Sequence, residues 1–213
     1  MMTKKVKILG ICGSPRKAAT EHALTVALEA AAAVPNVEVE LVTLRGKKIN
    51  FCIHCDKCIR ENSLYCSLHK DDMTQELYDK FYEADGYIIA SPVYEMNVSA
   101  QMATFFNRFR ATYNVLKHQP DFFSRKVGAA IAVGGTRNGG QEMTIQAIHG
   151  FFHTQGIVPA NAQLGVYSGA SVWSQDRRAA GAKEDEIGMR DCQRLGQRMA
   201  ELTLCIKNTT LPE

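Results

Sequence analysis

The chain has 213 residues, 46% of them hydrophobic and 22% charged, with a formal net charge of +3. That composition fills one core, or a core with an elaborated insertion, and it carries no repeat, collagenous or low-complexity bias. A charge so small, with no polybasic run or basic stripe interleaved with aromatics, argues against nucleic acid and against an anionic membrane.

The N-terminal MMTKKVKILGICGS is basic and then apolar, as a leader would be. Its apolar part is only about six residues long and runs into a Gly-Ser-Pro-Arg turn with no small-residue cleavage site. Residues 5–12 therefore read as a buried first strand. No stretch reaches the roughly 20 apolar residues of a membrane span, so a soluble, cytoplasmic protein is expected. Residues 20–33 (TEHALTVALEAAAA) predict an Ala/Leu-rich helix, and 37–44 (VEVELVTL) alternate as a strand less covered on one face. Segment 46–71 is polar, charged and cysteine-dense, and reads as an inserted loop. Helical spacing resumes over 72–83, with Met73, Leu77, Phe81 and Tyr82 on an apolar side. GYIIA at 86–90 is a third strand, ending at Ser91-Pro92. A helix over 99–109 carries Met102, Phe105, Phe106 and Phe109. KVGAAIAV at 126–133 is a fourth strand, 141–154 a helix, 157–166 a fifth and more irregular strand, and 182–206 a last amphipathic helix.

This alternation predicts one α/β domain, residues 1–213, with a five-stranded parallel sheet between two helical layers. Ligands of such sheets sit beyond the carboxyl ends of the strands. The loops after strands one, three and four are therefore the candidates. The first, GSPRKAAT at 13–20, enters a helix N-terminus, where free amides and the dipole suit a phosphate. Ser14 and Thr20 add hydroxyls and Arg16 a charged fork. It matches neither G-x-x-x-x-G-K-[ST] nor G-x-G-x-x-G, so a monophosphate, hence FMN, is the expected ligand. A capped turn with Thr20 as N-cap is the plainer alternative. The second loop is Ser91, Pro92, Val93, Tyr94, Glu95, Met96 and Asn97. Its Tyr94 and Met96 can flank a flat ring whose edge meets backbone polar groups. The third, residues 134–140, holds Gly134, Gly135, Thr136, Arg137 and Gly140, a composition suited to close backbone approach by a ligand.

Four of the seven cysteines, Cys52, Cys55, Cys58 and Cys66, fall within fifteen residues, separated by two, two and seven residues. In a reducing compartment such a cluster binds metal or does chemistry more often than it forms disulfides. Structural zinc usually takes two Cys-x2-Cys knuckles set apart, with His54 or His69 available here as substitute ligands. The unbroken triplet instead has the C-x2-C-x2-C form that wraps a cubane, and Cys66 can close a [4Fe–4S] cluster locally. Elsewhere, Cys12, Cys192 and Cys205 read as small buried hydrophobes. His149 and His153 are four apart on a helix without a third ligand nearby, and Trp173 reads as an anchor for the long segment 168–183 rather than as a flavin cover.

The cysteine segment, with GSPRK before it, DDM at 71–73, SPVY at 91–94 and KVGAAIAVGGTRNGGQEMTIQAIH at 126–149, resembles the iron–sulfur flavoproteins typical of anaerobic archaea and bacteria, from Val6 to about Ile206. The resemblance implies a flavodoxin-like fold, FMN, one [4Fe–4S] cluster and electron transfer between them in homodimers or homotetramers. One departure is Ala18-Ala19-Thr20 where much of the family continues Gly-Asn-Thr, which leaves Glu21 close to the anion site.

The expected activity is redox. A ferredoxin-like donor reduces the cluster, FMN collects electrons, and a small-molecule acceptor receives them. The alternatives are an NAD(P)H-dependent FMN or quinone reductase with zinc in the cysteine loop, and a non-enzymatic zinc-stabilised binding module. The loop also has few apolar residues to pack around a cluster, chiefly Phe51, Ile53, Ile59 and Leu64, so a second subunit is expected to cover it.

Overall fold

The computed structural model describes residues 4–162 and 164–209. Strands β1 (Val6–Cys12), β2 (Val37–Thr43), β3 (Gly86–Pro92) and β4 (Val127–Gly134) form the parallel centre of the sheet. The spatial order is β2-β1-β3-β4 followed by β5 (Val158–Pro159), the flavodoxin-like arrangement, with its crevice where β1 and β3 diverge in connection. Strands β3 and β4 are buried along their whole length, as their unbroken apolar runs require when helices cover both faces.

The pleat divides these runs between two cores. Ile8, Cys12, Ile88, Ala90, Ala129 and Ile131 pack with α1 (Ala19–Ala32) and α8 (Glu186–Asn208). On the other face, Leu9, Ile11, Tyr87, Ile89, Ala130 and Ala132 meet Phe81, Phe105, Phe109 and Phe152. Helices α1 and α8 approach closely because position 196 is glycine. A Cβ there would lie 1.9 Å from the Ala27 carbonyl oxygen.

Between β2 and β3 the chain makes its cysteine-bearing excursion, regular only in the short helix α2 (Lys57–Arg60). A π-helical turn (Met73–Leu77) then leads into α3 (Tyr78–Glu83). After β3 come α4 (Ala100–Asn107), a 3-10 turn (Arg108–Ala111) and α5 (Thr112–His118), so the expected helix over 99–109 continues, with a change of pitch, well beyond its predicted end. Met102, Phe105 and Phe109 are buried, and Phe106 stacks on Phe151 at 4.2 Å; this aromatic face belongs to the core.

Two expectations need correction. Of the strand anticipated over 157–166, position 163 lies outside the described residues, and among the described ones only β5 (Val158–Pro159) pairs with β4. The chain then leaves the sheet and returns as β6 (Ala170–Trp173) beside the upper half of β4. The last position of the sheet is thus shared by two strands, β5 and β6, and the described residues 160–162 and 164–169 between them belong to no strand, although Ala160 N–H still donates to Gly128 O at 2.7 Å. After α6 (Gln141–Gln155), the tail likewise forms two helices, α7 (Arg178–Glu184) and α8, broken at Asp185. Asp185 leaves the helix because its carboxylate accepts the Trp173 backbone N–H at 2.7 Å. Cys12 and Cys192 are buried as expected, whereas Cys205 is exposed. Among the described residues no helix is long and apolar enough to cross a membrane.

Candidate cofactor sites

The three loops expected to hold a ligand meet at one edge of the sheet. Gly13 N–H donates to Ala90 O at 2.8 Å, and the Ser99 hydroxyl donates to Gly13 O at 2.6 Å while accepting Met102 N–H, capping α4. The first loop is thereby tied to the second. The second is tied to the third by Val93 N–H on Val133 O at 2.9 Å, and by a close approach at Gly140. Gly140 has φ +104°, and a Cβ on it would lie 2.9 Å from Met96 Cα, so neither conformation nor space admits a side chain. Ser99 was not among the predicted site residues, although its place just before an apolar helical run is a capping signal.

In the first loop, Ser14 is buried. Its hydroxyl donates to Arg16 O at 2.8 Å and accepts Arg16 N–H at 3.1 Å, so it shapes the turn. Arg16 is exposed, and Thr20 is buried in the first turn of α1, whose first amides lack intrahelical acceptors. No side chain caps this N-terminus. Glu21, which seemed to oppose an anion here, is held by Arg45 at 2.6 Å, so its charge is met by a cation. Burial pushes the Cys12 thiol beneath the loop up to about 11, which makes it a packing group.

The second loop turns tightly. Tyr94 and Asn97 exchange two backbone hydrogen bonds of 2.9 Å, and Glu95 and Met96 between them have φ of 49° and 58°. Two positive φ values in non-glycine residues cost energy, and such strain gathers where ligands are clamped. Ser91 is used internally, accepting Ser99 N–H at 3.0 Å and donating to Pro92 O. In the third loop, Gln141 folds back to donate to Thr136 O at 2.6 Å and accept Gly139 N–H at 2.9 Å. Trp173 Nε1–H donates to Gly135 O at 2.8 Å, and Arg137 lies 4.7 Å above its ring, so the tryptophan anchors the long segment against the glycine loop. A cleft of about 460 Å3 opens beside this loop, lined by Met96, Arg137, Gln141, Trp173, Ile187 and Asp191 among others.

The cysteine excursion is pinched shut at its neck. Asp72 accepts Lys48 N–H at 2.7 Å, and Asp71 accepts Asn50 N–H at 2.8 Å and Asn50 Nδ2–H at 3.1 Å. Asp71 also forms a buried ion pair with Arg108 at 2.6 Å, their side chains 4% and 0% exposed. Burial alone would raise the Asp71 carboxyl, but the hydrogen bonds from Arg108 and Asn50 outweigh it and hold it down at about 2. Asn114, buried on α5, donates to Cys58 O at 2.9 Å and Ser63 O at 2.7 Å, fastening the far part of the loop. Neither Arg108 nor Asn114 was predicted. The available signal was a charged or amide residue within an otherwise aromatic run, RFRATYN at 108–114.

Cys52, Cys55, Cys58 and Cys66 all line one small pocket, with Ile53, Leu68, His69 and Arg108. All four are free thiols. His54 and Asp56 turn the chain between them at φ 53°, in the left-handed region that His and Asp tolerate better than most residues. His54 N–H points at Cys52 Sγ, 3.4 Å away, and Arg110 holds the Asp56 carboxylate at 3.0 Å. Burial pushes the Cys58 thiol up, with smaller contributions in the same direction from Cys66, Cys52 and Cys55. Among the described residues no three His, Cys, Asp or Glu side chains converge as a single metal ion requires. The four cysteines instead share the lining of one pocket. Two buried nitrogens of pocket-lining residues, Arg108 Nε and His69 Nε2, have no hydrogen-bond partner. An orphaned buried donor costs about 1–3 kcal/mol, so a group with acceptor sulfurs fits this pocket.

A doubly wound parallel sheet with three loops joined at its carboxyl edge is the frame of a flavin-dependent oxidoreductase, and comparison with known proteins agrees. Residues 6–170 match the NADPH-dependent FMN reductase family. An iron–sulfur flavoprotein of Methanocaldococcus jannaschii is 41% identical over 198 residues, covering 92% of this chain and 96% of that one. One from Archaeoglobus fulgidus is 43% identical over 196 residues, with coverage of 92% and 96%. RosB, solved with 8-demethyl-8-formylriboflavin-5'-phosphate, shares the fold with a TM-score of 0.73 at 14% identity, over 96% of this chain and 81% of that chain. The chain belongs to the NADPH-dependent FMN reductase family and to its iron–sulfur flavoproteins.

Proposed function

We propose that this chain binds FMN at the three-loop edge and one [4Fe–4S] cluster through Cys52, Cys55, Cys58 and Cys66, and that it passes electrons from a ferredoxin-like donor to a small acceptor. The observation that carries this reading is the cysteine pocket: four thiols line one space together with Arg108, whose Nε donor is buried without a partner. Bound there, the cluster exchanges single electrons and the flavin one or two.

The residues divide the remaining work. The α1 amides, Arg16 and Thr20 receive the phosphate, Ser14 keeps that loop in shape, and Arg45 masks Glu21. Tyr94, Met96 and Asn97 on one side, and Gly134, Gly135, Thr136, Arg137 and Gly140 on the other, form the walls for the ring. Ser91, Pro92 and Val93 fix where those walls stand. Around the cysteines, Phe51 and Ile53 are 64% and 58% exposed, and Leu64 and Leu68 are also exposed. A second copy of the chain covers this apolar rim, because a cluster is tuned and protected by limiting its contact with water.

Protein purified without oxygen should contain about four iron and four sulfide per chain. Cys55→Ala should abolish the iron–sulfur absorption band and leave FMN bound, since the flavin loops lie elsewhere. Stoichiometric zinc in the native protein would favour an NAD(P)H-dependent reductase with a structural metal instead. Membership of a flavin-reductase family removes the non-enzymatic alternative.

A further inference from the structure

Arg108 is the most deeply buried charge described in this molecule, 1% exposed, and its position is over-determined. Nη1 donates both to Asn50 O at 2.8 Å and to Asp71 Oδ2 at 2.6 Å, and Nη2 donates to Thr74 Oγ1 at 3.1 Å. Three acceptors therefore fix the guanidinium plane. The one nitrogen they leave over is Nε, which is buried without a partner in a residue that lines the cysteine pocket. A counter-ion for Asp71 alone would need neither this placement nor an idle donor. His69, on the same pocket, also carries a buried and partnerless nitrogen, Nε2, while its carbonyl accepts the Thr74 hydroxyl at 2.8 Å. Arginine Nε–H can only donate, so an orphaned one in a residue that lines the cavity points to an acceptor beside it.

We infer that the Arg108 Nε–H donates a hydrogen bond to a sulfur of the cluster and thereby raises the cluster's reduction potential. The inference rests on the cluster reading above. A donor aimed at a cluster sulfur favours the more negative, reduced state. Arginine is suited to this because it stays protonated across the working pH range, so the donor does not switch off. The Asp71 carboxylate, on the far end of the guanidinium, keeps the cation in place.

The test uses the holoprotein reduced without oxygen. Wild-type chain labelled with 15N-arginine should show a nitrogen hyperfine coupling to the reduced cluster by pulsed electron paramagnetic resonance. The coupling should persist in Arg110→Lys, which changes the other arginine on the pocket. Arg108→Lys keeps a cation but has no Nε–H. Its cluster should accept an electron about tenfold less readily, equivalent to a potential lower by about 59 mV. A clear cluster signal without arginine coupling would overturn the inference, as would a coupling lost in Arg110→Lys or an unchanged potential in Arg108→Lys. If Arg108→Lys fails to assemble, the labelled wild type still decides. Absence of iron from the wild type would instead refute the cluster itself, so the two failures are told apart.

Discussion

Replacing Asp71 by Asn preserves its shape and removes its charge, and the structure sets the scale of the effect. The carboxylate is 4% exposed and faces a guanidinium with no exposure at all, 2.6 Å away. Removing one partner of such a pair leaves the other buried and uncompensated, at a cost of about 3–5 kcal/mol. A second route starts from the carboxyl group, held at about 2 against an ordinary 3.8. At ~1.36 kcal/mol for each pH unit, that difference corresponds to roughly 2.5 kcal/mol. The lower figure is reasonable, because a protonated acid still accepts some of the hydrogen bonds that orient Arg108. Either figure is a large part of a domain stability of about 5–15 kcal/mol. The sign with pH follows. The folded value is depressed, so the stabilisation is complete above about pH 4 and is lost as pH falls toward 2, and the wild-type advantage over Asp71→Asn shrinks across that window. Urea denaturation at neutral pH, with Arg108→Met and the double variant completing a cycle, measures the coupling. Asp71→Asn should lose several kcal/mol, and the double variant should recover much of it. A single variant within 1 kcal/mol of wild type, or a double variant as unstable as the sum of the two, would refute the reasoning.

Three further outcomes test the flavin edge and the assembly. Arg16→Ala should weaken FMN roughly ten- to a hundred-fold by equilibrium titration, the value of a charge-assisted contact of ~1.5 to 3 kcal/mol, and unchanged affinity would remove Arg16 from the site. Arg45→Ala, which uncovers Glu21, should also weaken FMN, with a loss that shrinks in high salt as exposed charges are screened. The native protein should sediment as a dimer or tetramer, and dilution to monomer should slow electron transfer from cluster to flavin. A monomer at micromolar concentration with undiminished transfer would show that each cluster serves its own flavin.

The sheet was legible because its information is local. ILGIC, after Lys7, and VGAAIAVG are unbroken apolar runs, and only a strand covered on both faces uses such runs in this alternation with helices. The last strand was misread because its determinants lie far away in sequence. Residues 157–166 are apolar enough for a strand, but among the described ones only Val158 and Pro159 pair, and Ala170–Trp173 take the remaining places beside Ile131–Gly134. What fixes that return is Asp185 on the Trp173 N–H and Gly135 O on the indole, contacts that no periodicity announces. Helix α5 was missed for a related reason. RFRATYN mixes charges and amides with aromatics, and it becomes a regular segment because Asp71, Asn50, Cys58 and Ser63 supply partners for Arg108 and Asn114.

The cysteine site shows the same division between the thiols and their support. Cysteine spacing is written in the sequence, since thiols that share one pocket within a loop must recur at short intervals. The supporting shell is not, because each member is drawn from a different element. Asp71 and Asp72 stood out in the sequence only as part of a familiar DDM string. In the structure they close the loop on Lys48 and Asn50, so that an excursion with little apolar content acquires a rigid base. Arg108 then spans from that base to the pocket, joining the neck to the π-helical turn through Thr74, and it lines the cysteine pocket with its Nε left without a partner. A loop with so few apolar residues cannot hold four thiols in place by packing. It does so by paired charges and backbone hydrogen bonds, and the same buried cation that holds the loop shut also lines the pocket that the four cysteines share.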